Sequence, residues 1–200
     1  MATASPTRPP VFNLPNQLTA ARLGLAVVLF VLITGQAWRW CLVVFAVAAL
    51  TDYLDGYFAR KQGLFSTLGR VFDPLVDKVL ICGAYIFLLP EPGAGLLPWV
   101  VTVVVGRELV ITGLRSFLEN KGITFGADWL GKLKMGLQCA ALFGIFVALD
   151  VRGPEGAEWA ERFFGGVRAV LVYAMVAATA LSGLQYLWRA ALLLKAEPEG

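Results

Sequence analysis

Six long apolar stretches, separated by short polar segments, occupy most of the 200-residue chain. A helix that crosses a membrane needs about 20 mostly apolar residues, and each stretch reaches roughly that length. The pattern therefore predicts an all-α, polytopic membrane protein, a bundle of six transmembrane helices. The predicted spans are residues 17–34, 37–60, 71–89, 96–118, 129–149 and 163–195.

The polar segments set the predicted domain limits and orientation. Residues 1–12 are polar and rich in proline, which predicts a disordered N-terminal tail. Residues 13–196 then form a single membrane domain. Lysine and arginine are concentrated after the second span and between the fourth and fifth, and such loops face the cytoplasm. We therefore expect both termini in the cytoplasm. The basic residues of these two segments are Arg60, Lys61, Arg70, Lys121, Lys132 and Lys134.

Composition narrows the possible chemistry. Hydrophobic residues make up 58% of the chain and charged residues 16%, a balance typical of membrane proteins. The net charge of +3 is too small to indicate a nucleic-acid partner. The chain has no histidine, which excludes histidine triads and imidazole metal ligands. Its three cysteines are widely spaced in apolar segments, so we interpret them as buried small side chains.

Four aspartates lie at helical spacing near the cytoplasmic ends of the second and third predicted spans. Asp52 and Asp55 are three residues apart, and Asp73 and Asp77 are four apart, so each pair shares a helical face. A short loop joins the two helices, which predicts antiparallel neighbours with four converging carboxylates. Small residues accompany them on the same faces, where they leave room for a ligand: Gly56, Ala59 and Gly69.

Converging carboxylates in a medium of low dielectric constant repel one another unless cations neutralise them. All-oxygen ligation favours Mg²⁺ or Mn²⁺, and two bridged ions suit in-line phosphoryl transfer. The alternative is that the aspartates cap helices or pair with Arg60, Arg70 and Lys78. Carboxylates inside a helical bundle also mark cation transporters, although here they cluster toward one membrane face.

Residues 52–77 resemble the signature of the CDP-alcohol phosphotransferase family, D-x2-D-G-x2-A-R-x8-G-x3-D-x3-D, at every fixed position. The resemblance implies that Asp52, Asp55 and Asp73 bind the metal ions and that Asp77 is both ligand and general base. The acceptor then attacks directly, and no covalent enzyme intermediate is needed. It also implies a multi-pass protein of the bacterial inner membrane, a cytoplasmic active site and a homodimer. The CDP-binding residues it implies are Gly56, Ala59, Arg60 and Gly69. Residues 13–22 also resemble the N-terminal stretch of the family, which implies that Asn16 and Thr19 contact the nucleotide. For Asn16 and Thr19, helix capping is the alternative.

The fourth and fifth spans bear on the acceptor alcohol. Residues 106–115 and 131–138 resemble segments of the bacterial phosphatidylglycerophosphate synthases, with Gly106 and Met135 replacing a usual alanine and threonine. That resemblance implies CDP-diacylglycerol and glycerol 3-phosphate as substrates. The residues expected to hold the acceptor phosphate are Arg107, Arg115, Lys132 and Lys134. Glu108 is expected to orient Arg107 or another cation.

Alternatives to this interpretation remain at two levels. The lysines and Arg115 could simply follow the bias that places positive charge at the cytoplasmic surface. Other members of the family use inositol phosphate or serine as acceptor, and the Arg107-Glu108 and Gly131-Lys132 segments disfavour both.

Overall fold

A computed structural model of the chain describes residues 14–62, 67–122, 129–152 and 157–196. Within these ranges, the description of residues 14–16, 18–19, 52–62, 67–74 and 194–196 is confined to the helical backbone. The tail predicted for residues 1–12 lies outside the described residues.

The described residues form six α-helices and one short 3-10 turn, with no strand among them. The helices are α1 Leu14–Thr34, α2 Trp38–Gln62, α3 Thr67–Leu88, α4 Pro98–Asn120, α5 Trp129–Val151 and α6 Glu158–Ala196, and the 3-10 turn is Pro92–Ala94. The all-helical prediction is confirmed, because each predicted span falls on one helix.

Three helices, α1, α3 and α6, begin three to five residues earlier than the apolar pattern predicts. The first turns of α3 and α6 are polar, so hydropathy does not mark them as part of a span. In α6 this turn contains Glu158 and Glu161, whose negative charges interact favourably with the positive end of the helix dipole. Helix α4 begins at Pro98, where the fixed φ angle of proline suits the first helical position.

The chain divides into two compact units, residues 1–83 and 84–200, and each is described by itself. In the first unit, α1 packs along α2. Helix α3 approaches α1 closely, because a Cβ atom at Gly83 would collide with the ring of Phe30. The buried apolar residues of α1 and α2 are Ala26, Leu29, Ile33, Cys41, Phe45 and Ala48.

In the second unit, α6 packs along both α5 and α4, and the 3-10 turn packs against α5. The turn ends at Gly95, whose φ of 65° favours glycine. Arg168 of α6 donates a hydrogen bond to the carbonyl oxygen of Gly93 and so ties the turn to this helix. The core side chains of α4, α5 and α6 include Val104, Ile111, Leu142, Ile145, Phe146 and Met175.

Two helical segments of the described chain are long and apolar enough to cross a membrane, Trp129–Val151 and Glu158–Leu193. Shorter apolar stretches occupy Ala20–Thr34 and Trp38–Thr51. Charged residues within α2, α3 and α4 interrupt their apolar runs. Large apolar side chains are nevertheless exposed on several helices, among them Val31, Leu109 and Val170, each at least 66% accessible. Such extensive apolar exposure indicates contact with something other than water.

Candidate active site

Asp77, the predicted general base, is held by a buried arginine of α1. Nη1 of Arg22 lies 2.5 Å from Oδ1 of Asp77, and the arginine side chain is only 3% exposed. The Asp77 side chain is 27% exposed, so it is less buried than its arginine partner. A charge-assisted hydrogen bond of this kind fixes the orientation of the carboxylate.

The other predicted metal ligands belong to helices of the same unit, where the structure describes their backbone. Asp52 and Asp55 belong to α2, and Asp73 belongs to α3 with Asp77, so the helical spacing within each pair is present. The side chains of these three aspartates lie outside the description. The same holds for the predicted CDP-binding residues Asn16, Thr19, Gly56, Ala59, Arg60 and Gly69.

No cluster of three or more potential metal-binding side chains occurs among those that the structure describes. Metal binding by the four aspartates therefore stays a prediction. The donor set fits Mg²⁺ or Mn²⁺, since carboxylate oxygens are the ligands that these ions prefer. Arg22 supplies positive charge beside the one carboxylate of this set that is described.

A cluster of buried charges joins α4 to α5 in the second unit. Oε1 of Glu108 accepts a hydrogen bond from Nζ of Lys134, and the same oxygen lies 3.3 Å from Nη1 of Arg107. The side chains of Glu108 and Lys134 are 10% and 7% exposed. Glu108 thus contacts both Arg107 and a second cation, as the sequence led us to expect. We call Arg107, Glu108 and Lys134 the cationic cluster, because their formal charges sum to one positive charge.

The predicted acceptor-binding residues occupy three different environments. Arg107 lies against α6, where a Cβ atom at Gly183 would be 3.1 Å from its Cγ. Arg115 lies beside another α6 residue, with its Nε 3.4 Å from the hydroxyl oxygen of Tyr186 and its guanidinium 5.9 Å from the ring centre. Lys132 is exposed. The structure therefore brings together Arg107 and Lys134 through Glu108.

Further polar side chains are buried in the second unit. Gln138 of α5 is 2% exposed, and its backbone carbonyl oxygen accepts a 2.9 Å hydrogen bond from the hydroxyl of Tyr85. In α6, the hydroxyl of Ser182 donates to the carbonyl oxygen of Thr179 at 3.0 Å. The interior of this unit is therefore polar as well as apolar.

Sequence reasoning assigned no role to Arg22 or Gln138. A usable signal existed for Arg22, because it is a charged residue inside a predicted span, and such residues are commonly functional. Gln138 carries no charge, and its burial depends on how α5 packs within its unit. Helical spacing alone could not reveal it.

Comparison with known proteins places the chain in a class. The sequence pattern of the CDP-alcohol phosphatidyltransferase family matches residues 12–182. The chain therefore belongs to the CDP-alcohol phosphatidyltransferase family, which confirms the family that the aspartate motif indicated.

Individual relatives carry more specific names. A CDP-diacylglycerol–glycerol-3-phosphate 3-phosphatidyltransferase of Bacillus subtilis (strain 168) is 34% identical over 153 residues, covering 68% of this chain and 78% of that protein. The enzyme of the same name from Pectobacterium atrosepticum is 28% identical, covering 88% and 93%. A probable phosphatidylglycerophosphate synthase of Mycobacterium tuberculosis is 36% identical over 189 residues, covering 90% and 82%.

Proposed function

We propose that this chain transfers the phosphatidyl group of CDP-diacylglycerol to glycerol 3-phosphate, giving phosphatidylglycerophosphate and CMP. The observation that carries the proposal is its similarity, over most of its length, to relatives named for this reaction. The cationic cluster supports the same acceptor. Glycerol 3-phosphate brings a phosphate to the enzyme, and arginine and lysine are the side chains that bind phosphate well.

The reaction is a direct in-line displacement. The acceptor's hydroxyl oxygen attacks the β-phosphorus of CDP-diacylglycerol and forms the new oxygen–phosphorus bond. The bond from that phosphorus to the CMP oxygen breaks, and CMP leaves with the electron pair. Asp77 takes the proton of the attacking hydroxyl, and Arg22 holds this carboxylate in a fixed orientation, as expected of a positioned general base.

Asp52, Asp55, Asp73 and Asp77 would hold two Mg²⁺ or Mn²⁺ ions. Bound there, the ions would supply positive charge to the entering and leaving oxygens. We assign CDP binding to residues of the same unit: Gly56, Ala59 and Gly69 would provide space, and Arg60, Asn16 and Thr19 would provide polar contacts. In the second unit, we assign acceptor binding to Arg107 and Lys134, and to the exposed Arg115 and Lys132.

The proposal includes a membrane arrangement. Helices α1 to α5 contain 21 to 25 residues, which corresponds to about 32–38 Å at 1.5 Å per residue. This length matches a hydrocarbon core of about 30 Å. We place all six helices across the bacterial inner membrane, both termini and the active site on the cytoplasmic side, and the protein in a homodimer.

The acceptor assignment is tested by supplying different acceptor alcohols in separate assays. Purified protein in detergent is supplied with CDP-diacylglycerol and Mg²⁺, and CMP release is followed with glycerol 3-phosphate, serine or inositol phosphate. Of the three acceptors, we expect only glycerol 3-phosphate to support CMP release. Release with serine or inositol phosphate, and none with glycerol 3-phosphate, would overturn the acceptor but leave the family chemistry intact.

A further inference from the structure

Gln138 presents a buried hydrogen-bond donor that the proposed reaction does not yet use. The residue is 2% exposed, and its Nε2 has no hydrogen-bond partner within the described part of the chain. Burying an amide donor without a partner costs free energy. Native proteins satisfy nearly all such groups with protein, water or ligand.

The position of Gln138 indicates what its partner is. It lies one helical turn after Lys134 on the buried face of α5. Helical side chains lean toward the N-terminus of their helix, and we therefore expect the amide to lie on the side of the turn that carries Lys134. Arg107 and Lys134 both contact Glu108. The Nε atom of Arg107 is also buried, and no group in the described part of the chain accepts a hydrogen bond from it. Two unsatisfied donors are therefore associated with the cationic cluster.

We propose that Gln138 is an acceptor-binding residue, which donates its amide N–H to an oxygen of glycerol 3-phosphate beside Lys134 and Arg107. This inference rests on the proposed function, and it names a residue that favours this substrate class. Phosphate and hydroxyl oxygens can accept from both donors. The ammonium group of serine cannot accept from either, and it would meet a cluster of net positive charge.

Gln138→Met tests the inference, because it keeps the length of the side chain and removes the amide. We expect the KM for glycerol 3-phosphate to rise roughly tenfold, as is typical for the loss of one hydrogen bond to a charged ligand. The KM for CDP-diacylglycerol and kcat should stay within about twofold of the parent values. Ser182→Ala is the matched control, since its buried hydroxyl already donates to a backbone carbonyl, and both KM values should be unchanged.

Gln138→Glu provides a second variant of nearly the same shape. Its carboxylate would repel the phosphate, so the KM for glycerol 3-phosphate should again rise selectively. If either variant folds and shows an unchanged KM for glycerol 3-phosphate, or equal increases for both substrates, the inference is wrong. Failure of the proposed function itself would be visible in the parent protein, which would then release no CMP with glycerol 3-phosphate.

Discussion

Arg22 and Asp77 join α1 to α3 through a 2.5 Å contact between Nη1 and Oδ1. The two residues are 55 positions apart in the chain, yet the arginine is almost completely buried beside the predicted general base. A buried guanidinium next to a carboxylate stabilises its charged form and limits its rotation. The geometry therefore makes Arg22 a positioning residue for Asp77.

Arg22→Met should lower kcat by about tenfold or more, because a base that is no longer oriented is a poor proton acceptor. Arg22→Lys keeps the charge but loses the planar donor geometry, so it should recover only part of the rate. Steady-state CMP release measures both. Arg39→Met, an exposed arginine of the same unit, is the control. A kcat for Arg22→Met equal to that of the control would remove Arg22 from the mechanism.

Asp77→Asn should lower kcat by roughly 10²–10⁴-fold, the usual contribution of a general base. Binding of CDP-diacylglycerol should be largely retained, since three aspartates of the predicted metal site remain. Nucleotide binding by calorimetry and CMP release separate the two effects, with Asp150→Asn as a control. An active Asp77→Asn variant would contradict the assignment of the base.

The pairing of Glu108 with Lys134 predicts strong coupling in a double-mutant cycle. Removal of one partner leaves a buried charge, which typically costs about 3–5 kcal/mol. Glu108→Gln and Lys134→Met should each lower the melting temperature of the detergent-solubilised protein. The double variant should lose less than the sum of the two single losses. Strict additivity would show that the two side chains do not stabilise each other.

The two lysines of α5 should differ in their effect on the acceptor. Lys134 is buried and paired with Glu108, whereas Lys132 is exposed, where solvent and salt screen its charge. Lys134→Met should raise the KM for glycerol 3-phosphate by about tenfold or more, and Lys132→Met by about threefold or less. The reverse order in initial-rate measurements would contradict the proposed roles.

Most of the fold could be predicted from the sequence, because six apolar stretches define six helices. The short turn Pro92–Ala94 was missed, since three residues carry no periodicity. The polar first turns of α3 and α6 were missed because they contain too few apolar residues. In each case the segment is too short or contains too few apolar residues for the hydrophobic pattern to mark it.

The site was predictable where residues are close in sequence. Spacing alone placed Asp73 and Asp77 on one helix, and the contact of Glu108 with Arg107 joins adjacent residues. The pairing of Arg22 with Asp77 and that of Glu108 with Lys134, which are 26 positions apart, require two helices to pack in a particular register. That register is set by side-chain packing along whole helices, which local patterns do not encode.

The most direct test measures whether glycerol 3-phosphate is incorporated into a lipid product. The purified protein is incubated with CDP-diacylglycerol, Mg²⁺ and radiolabelled glycerol 3-phosphate, and the products are separated between organic solvent and water. The account predicts that label enters the organic phase in step with CMP release, and that omission of either CDP-diacylglycerol or the divalent ion prevents this. CMP release with all of the label remaining in water would contradict transfer to glycerol 3-phosphate.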